Sequence, residues 1–170
     1  MNKKDIRING ERIYLVPLTV EYASEKYCSW LNDPVVNKYL DTKNATIENL
    51  QKYIKSKYED PNCLFFGIFD KKTNKHIGNV KLEPIDFNLK TAVLGTLIGE
   101  KNYWGMGIAP EVYKYLLKYA FDELKLETIT AGMYKGIVGA LKAVKKVGFK
   151  IHKEFDDAYK VLLKKEDFIF

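Results

Sequence analysis

The residues best suited to chemistry in this chain lie in one turn, Trp104-Gly105-Met106-Gly107-Ile108-Ala109, within the stretch LGTLIGEKNYWGMGIAPEVYKYLLK at 94–118. A short apolar strand leads into the turn and an amphipathic helix leaves it. Such a strand–turn–helix leaves backbone N–H groups unpaired at the positive end of a helix, which suits a phosphate or pyrophosphate. The glycines let the backbone approach such a ligand with no Cβ in the way. Few nearby groups can move a proton. Glu83 and Asp86 lie at the end of one strand pattern, and Tyr134 follows another. A carboxylate can accept a proton from an attacking nucleophile, and a phenol can give one to a leaving group. Glu111 falls in the first turn of the helix, where a carboxylate suits the dipole.

Other chemistries find no support. Cys28 and Cys63 are the only cysteines and are not spaced as C-x-x-C; with only His76 and His152 besides, no zinc constellation can be assembled. Each histidine lies in a strand pattern and reads as a solvated or core-satisfied imidazole. The net charge is +6, yet of 28 basic residues only Arg7 and Arg12 are arginine. Lysine is a poorer bidentate reader of bases than arginine, and these lysines are scattered among acidic residues. Nucleic acid is therefore not an expected partner, although a modest positive field would help recruit an anionic ligand. Lys142, Lys145 and Lys146 read as a solvated helix face. No apolar run reaches the roughly 18 to 20 residues that a membrane helix needs, and the start, MNKKDIRING, lacks an apolar signal region. A cytoplasmic protein is expected, with no membrane partner.

These residues must be held by a single domain of 170 residues, with 46% apolar and 29% charged content. Residues 11–17 read as a strand. Thr19 can cap a helix to about Leu31, and Asn32-Asp33-Pro34 a second short helix to about Tyr39. Thr46 can cap a third to about Lys57, with Ile47, Leu50 and Ile54 on one face. From Cys63 the period changes to that of strands: 63–69, 77–85 and 91–98, joined as two antiparallel hairpins. Val80 and Leu82 share one face of the second; Asn79, Lys81 and Glu83 share the other. A helix from about Pro110, a strand at 128–133, a helix at 137–147 ended by Gly148, and a closing hairpin at 149–155 and 159–163 complete the chain. The order implies an α/β (α+β) domain: a mixed, largely antiparallel sheet with helices on both faces.

The residues then resemble the GCN5-related N-acetyltransferases (GNAT), in particular their ribosomal-protein N-terminal acetyltransferase-like branch. The resemblance runs through WLNDP at 30–34, IGNVKL at 77–82, the glycine turn, YAFDELKLETITAGMY at 119–134 and KVGF at 146–149. The family signature Q/R-x-x-G-x-G/A falls on the turn, with Trp104 in place of Gln or Arg. The resemblance implies acetyl-coenzyme A as cosubstrate, no metal, and a sheet splayed between two central strands. It implies that the amides of Gly105, Met106, Gly107, Ile108 and Ala109 hold the pyrophosphate, and that Leu97 and Ile98 pair with the pantetheine arm. An N–H near Ile98 would stabilise the oxyanion, Glu83 or Asp86 would serve as base, and Tyr134 would donate to the thiolate. Asp33, Tyr39 and Asp41 would wall the acceptor site, with Asp86 beside it.

Three positions depart from the family pattern. Gly136 stands where relatives carry Asn against the cofactor arm, Gly139 where a small polar residue follows, and Val144 where many carry a proton-donating Tyr. The implied reaction is direct acetyl transfer to a primary amine of a small molecule (an amino sugar or sugar nucleotide) or to a protein N-terminus; a homodimer is compatible with it. The alternative is a non-catalytic acyl-coenzyme A-binding or sensing module on the same fold. Substituting Gly107→Glu places a carboxylate where the diphosphate would lie. Coenzyme A binding, measured by titration calorimetry, is expected to vanish while circular dichroism still reports a folded chain.

Overall fold

The run LFFGIF is apolar at every second residue and between, because strand β3 (Leu64–Asp70) is buried on both faces. The computed structural model describes residues 2–170. Around β3 stand β1 (Ile8–Asn9), β2 (Ile13–Pro17), β4 (His76–Asp86) and β5 (Thr91–Ile98); β6 (Thr128–Tyr134), β7 (Lys150–Glu154) and β8 (Ala158–Lys164) follow. The sheet order is β1-β2-β3-β4-β5-β6-β8-β7. Every pairing is antiparallel except β5 with β6. That parallel pair requires a crossover, supplied by helix α3 (Ile108–Asp122). The expected hairpins β3–β4, β4–β5 and β7–β8 are present.

Helices cover both faces. Val112, Leu116, Leu117, Ala120 and Phe121 of α3 pack with Val144 of α4 (Ala140–Lys145) against Phe66, Val80, Leu82 and Leu94. Tyr27, Trp30 and Leu31 of α1 (Glu25–Asn32) and Leu50 and Ile54 of α2 (Ile47–Glu59) pack against Phe65 and Cys63. Full burial of each large side chain stabilises by about 1.5–3 kcal/mol. Asn79, Lys81 and Glu83 therefore lie on the α1/α2 face, opposite Val80 and Leu82, as their alternation implied. Among the described residues no helix is long and apolar enough to cross a membrane.

The early helices depart from expectation. The helix foreseen from Thr19 breaks after a 3₁₀ turn at Val20–Tyr22, and Ser24 caps α1 by accepting from the Tyr27 N–H. Thr19 makes no cap because its hydroxyl is spent on Glu21. The short helix foreseen from Pro34 is a set of turns. Asp33 accepts from Val35 N–H, and Asn37 bonds back to the Leu31 carbonyl, so local side-chain bonds win over helix. Helix α4 starts three residues later than expected, because Gly139 sits at φ 82° and serves as its N-cap.

The N-terminus supplies an anchor that its charged composition conceals. Lys3 is buried, and its Nζ donates to the carbonyls of Lys57 (3.2 Å), Tyr58 (2.6 Å) and Asp60 (2.7 Å). These are the carbonyls that the end of α2 leaves without helical partners, and a cation suits that end of the dipole. Lys3→Met keeps the buried stem but removes the side-chain donor from all three carbonyls, leaving Asp60 O only the Cys63 N–H (3.3 Å). A loss of about 1–3 kcal/mol is expected, read as a lower urea midpoint with unchanged slope.

Candidate active site

The central feature is a fork in the sheet. Parallel pairing of β5 with β6 ends at Leu94 and Ala131, yet β5 stays paired to β4 through Ile98 and β6 to β8 through Tyr134. The next residues on the two sides are Gly95 and Gly132, and a Cβ on either would meet nothing within 4 Å. Two facing glycines offer no cross-strand side-chain contact to hold the strands together, which accounts for the fork opening there.

Hydrogen-bond alternation fixes which peptide groups face the fork. Gly99 N–H donates to Ile77 O (3.0 Å), so two residues back Leu97 also directs its peptide groups to β4. Thr96 and Ile98 direct theirs into the fork. By the same count from Lys135 N–H to Asp157 O (2.8 Å), Gly132 and Tyr134 face it from the other side. The Ile98 carbonyl accepts from Trp104 Nε1 (2.8 Å), which leaves the Ile98 N–H on that edge. Leu97, expected to pair with an extended ligand, is corrected here: its side chain packs with the α1/α2 core and its backbone serves β4. Thr96 is the residue that the sequence reading missed; it lies two residues before Ile98 and so shares its edge, as the strand period of two requires. Its Oγ1 is buried without a well-formed hydrogen bond, beside the Tyr113 phenol of α3, whose pKa burial raises and the threonine hydroxyl lowers in part.

The glycine turn follows β5 after a single 3₁₀ turn at Lys101–Tyr103. Gly105 (φ 73°) and Gly107 (φ 75°) are left-handed, and Gly107 is the N-cap of α3 with no side chain to occupy the first N–H groups. Trp104 and Met106 are exposed, while Ile108 is buried under the helix. A side chain at Gly107 would add backbone strain of about 1–2 kcal/mol to any effect on a ligand.

On the α1/α2 side, Tyr39 stacks on Tyr134 with ring centroids 4.9 Å apart. A Cβ at Gly136 would collide with the Tyr39 hydroxyl, so that tyrosine fills the space an Asn would take. A cavity of about 420 Å³ is lined by Tyr39, Asp41, Tyr134, Lys135 and Gly136, among others. The structure thus gathers four of the residues singled out in the sequence. Asp33 is elsewhere: its Oδ2 accepts from Lys101 Nζ (2.7 Å), a bond that holds its carboxyl below the usual range. Asp86 accepts from the Asn88 and Leu89 N–H groups and stands opposite Thr91, at the closed end of the β5–β6 pair. Val144 is buried in the core and cannot supply a proton.

Glu83 lies between Lys57 Nζ (2.5 Å) and Lys81 Nζ (2.6 Å), and Lys81 also donates to the Tyr53 hydroxyl (2.9 Å). Burial pushes its pKa up, but the two lysines outweigh that and the net shift is downward. A carboxylate so held is a weak proton acceptor near neutrality. His76 is a core residue: Nε2 lies 2.7 Å from Asn79 Oδ1, its ring stacks on Phe69, and burial lowers its pKa. His152 is exposed on β7. Both cysteines are buried and free, and burial raises their thiol pKa values, that of Cys63 to about 11.

A depressed carboxylate pKa contributes stability that is present above the unfolded value, about 4.3, and lost as pH falls through the folded value below it. Glu83→Gln is therefore expected to be less stable than the native chain at pH 7. In urea unfolding the gap should close as pH drops from about 4.5 to 3. A gap independent of pH would show that Glu83 does not act through its charge.

Comparison with known proteins agrees with this geometry. The acetyltransferase (GNAT) domain family matches residues 12–150. The chain is 32% identical over 155 residues to Probable N-acetyltransferase YjcK of Bacillus subtilis, covering 86% of this chain and 84% of that one. It is 28% identical over 138 residues to Acetyltransferase PseH of Campylobacter jejuni, covering 81% and 83%. In fold it is similar to a GNAT-family acetyltransferase from Bacillus anthracis (TM-score 0.82, 20% identity, covering 95% and 99%). It is similar also to a Vibrio cholerae spermidine N-acetyltransferase solved with CoA and spermine (TM-score 0.81, 18% identity, covering 92% and 97%). A sheet forked beside a bare helix N-terminus, and a family match over most of the chain, lead to one conclusion: this protein belongs to the GNAT acetyltransferases and is an acyltransferase enzyme.

Proposed function

We propose that the chain transfers an acetyl group from acetyl-coenzyme A directly to a primary amine, with no covalent enzyme intermediate. The observation that carries this is the fork between β5 and β6 opening next to the uncapped start of α3. The residues fit the coenzyme: the 105–109 amides suit its diphosphate, and the Thr96 and Ile98 edge suits the amide-bearing pantetheine arm as an added strand would. When bound, the coenzyme supplies an acyl carbonyl activated by a thiol leaving group. The chain's part is to position and to stabilise charge. The Ile98 N–H faces the fork and can receive the carbonyl oxygen as negative charge builds on it. In this reading Tyr134, at the end of β6, returns a proton to the departing thiolate, while the amine proton leaves through water, Glu83 being held as a carboxylate by two lysines.

The acceptor in this reading is a small-molecule amine, an amino sugar or sugar nucleotide, ahead of a protein N-terminus. Lys81 stands opposite Gly95, and Lys160 opposite Gly132, on the same side of the sheet. Lys81 shares the Glu83 carboxylate with Lys57, so three lysines against one carboxylate flank the glycine floor, a balance that opposes a polycation and favours an amine that also carries anionic or hydroxyl groups. The test is thiol release from acetyl-coenzyme A against amino sugars, sugar nucleotides, peptides and polyamines. Turnover is expected with the sugar amines and not with spermidine. Tight coenzyme binding with no thiol released by any amine would sink the enzymatic reading and leave a binding module.

A further inference from the structure

Granted the acetyl-coenzyme A reading of the turn, on which this rests, we propose that Arg12 and Glu111 form a clamp that aims the turn's amides at the coenzyme diphosphate. Arg12 opens β2's side of the sheet, 92 residues before the turn's first residue, yet its guanidinium is forked onto it. Nη1 donates to the Met106 carbonyl (2.8 Å) and Nη2 to the Gly107 carbonyl (3.1 Å). Nε donates to Glu111 Oε2 (2.7 Å), and the Arg12 backbone N–H donates to Glu111 Oε1 (2.7 Å). Glu111 is 8% exposed, so this carboxylate is a buried partner of Arg12 as well as a first-turn residue suited to the helix dipole.

A trans peptide is planar, with its carbonyl and N–H pointing in opposite directions. Holding the Met106 carbonyl on Arg12 therefore turns the Gly107 N–H to the other side, and holding the Gly107 carbonyl does the same for the Ile108 N–H. The Gly107 carbonyl is also fixed by the Glu111 N–H within the helix (3.3 Å). Among the described residues, Arg12 alone holds the Met106 carbonyl. Both glycines of the turn have positive φ and no side chain, so without an outside hold that peptide is free to rotate. The guanidinium also offsets the Glu111 charge, which would otherwise stand unpaired one helical turn from a diphosphate. Arg12 and Glu111 thus act as positioning residues; neither need touch the reacting atoms.

Lysine at position 12 keeps the charge but cannot make the fork. The experiment measures coenzyme A and pantetheine affinity for the native chain, Arg12→Ala and Arg12→Lys, with the amide resonances of Gly107 and Ile108 followed by NMR. In both variants coenzyme A affinity is expected to fall at least about tenfold, the size of a lost hydrogen-bond set. Pantetheine, which lacks the diphosphate, should bind as it does to the native chain, and the coenzyme-induced shift of the Gly107 amide should disappear. A merely structural role would weaken both ligands alike, and that result overturns the clamp. So does native coenzyme affinity in a folded Arg12→Lys, which decides the matter should Arg12→Ala fail to fold. If the native chain itself does not bind coenzyme A, the coenzyme reading falls first and the clamp with it.

Discussion

The molecule depends on hydrogen bonds that two neighbouring strands do not make. Past Leu94 and Ala131 the β5 and β6 edges separate, and each keeps its other neighbour. An internal sheet edge of this kind is normally a liability, because unpaired N–H and C=O groups cost free energy when buried. Here it is confined to a few residues and lies beside the start of α3, so the same stretch that lacks a strand partner can accept an extended, amide-bearing ligand. The fork and the helix start are one construction: the crossover that makes β5 and β6 parallel begins with the N-terminus of α3, and the Trp104 indole bonded to the Ile98 carbonyl ties the turn before it to the open edge.

The two sides of the sheet divide the work. The α3/α4 side carries the larger apolar core and holds the turn, while the α1/α2 side carries the lysines, the Tyr39–Tyr134 stack and the 420 Å³ cavity. Tyr39 reaching into the space over Gly136 joins the turns that follow α1 to the end of β6. A departure from the family pattern that reads in one dimension as a lost contact is, in three dimensions, a site filled by another residue. Gly136 and Tyr39 are 97 positions apart, and nothing local in either predicts the other.

Electrostatics also separates what position suggests from what pairing allows. Glu83 lies on the right face of the right strand for a base, yet two ammonium groups hold it as a carboxylate. Asp33 and Asp86 were expected beside the acceptor, yet Lys101 engages one and its own turn amides engage the other. Whether a carboxylate is available for proton transfer depends on its nearest donors, and those arrive from other elements.

Periodicity determined much by itself. The apolar runs, the alternation of 77–85, the stripe of α3 and the glycine signature carried the β3-β4-β5 hairpins, the crossover helix, the family and the glycine turn, because each is written in residues close together in the chain, whereas β1 and its pairing with β2 were not foreseen. Tertiary structure alone decided the fork's register, the choice of Thr96 over Leu97 as the open edge, and the burial of Lys3 under α2. The Arg12–Glu111 clamp was likewise decided there. These depend on which carbonyl or ammonium meets which partner across tens of residues, and such pairings follow from how the elements pack rather than from the residues beside them.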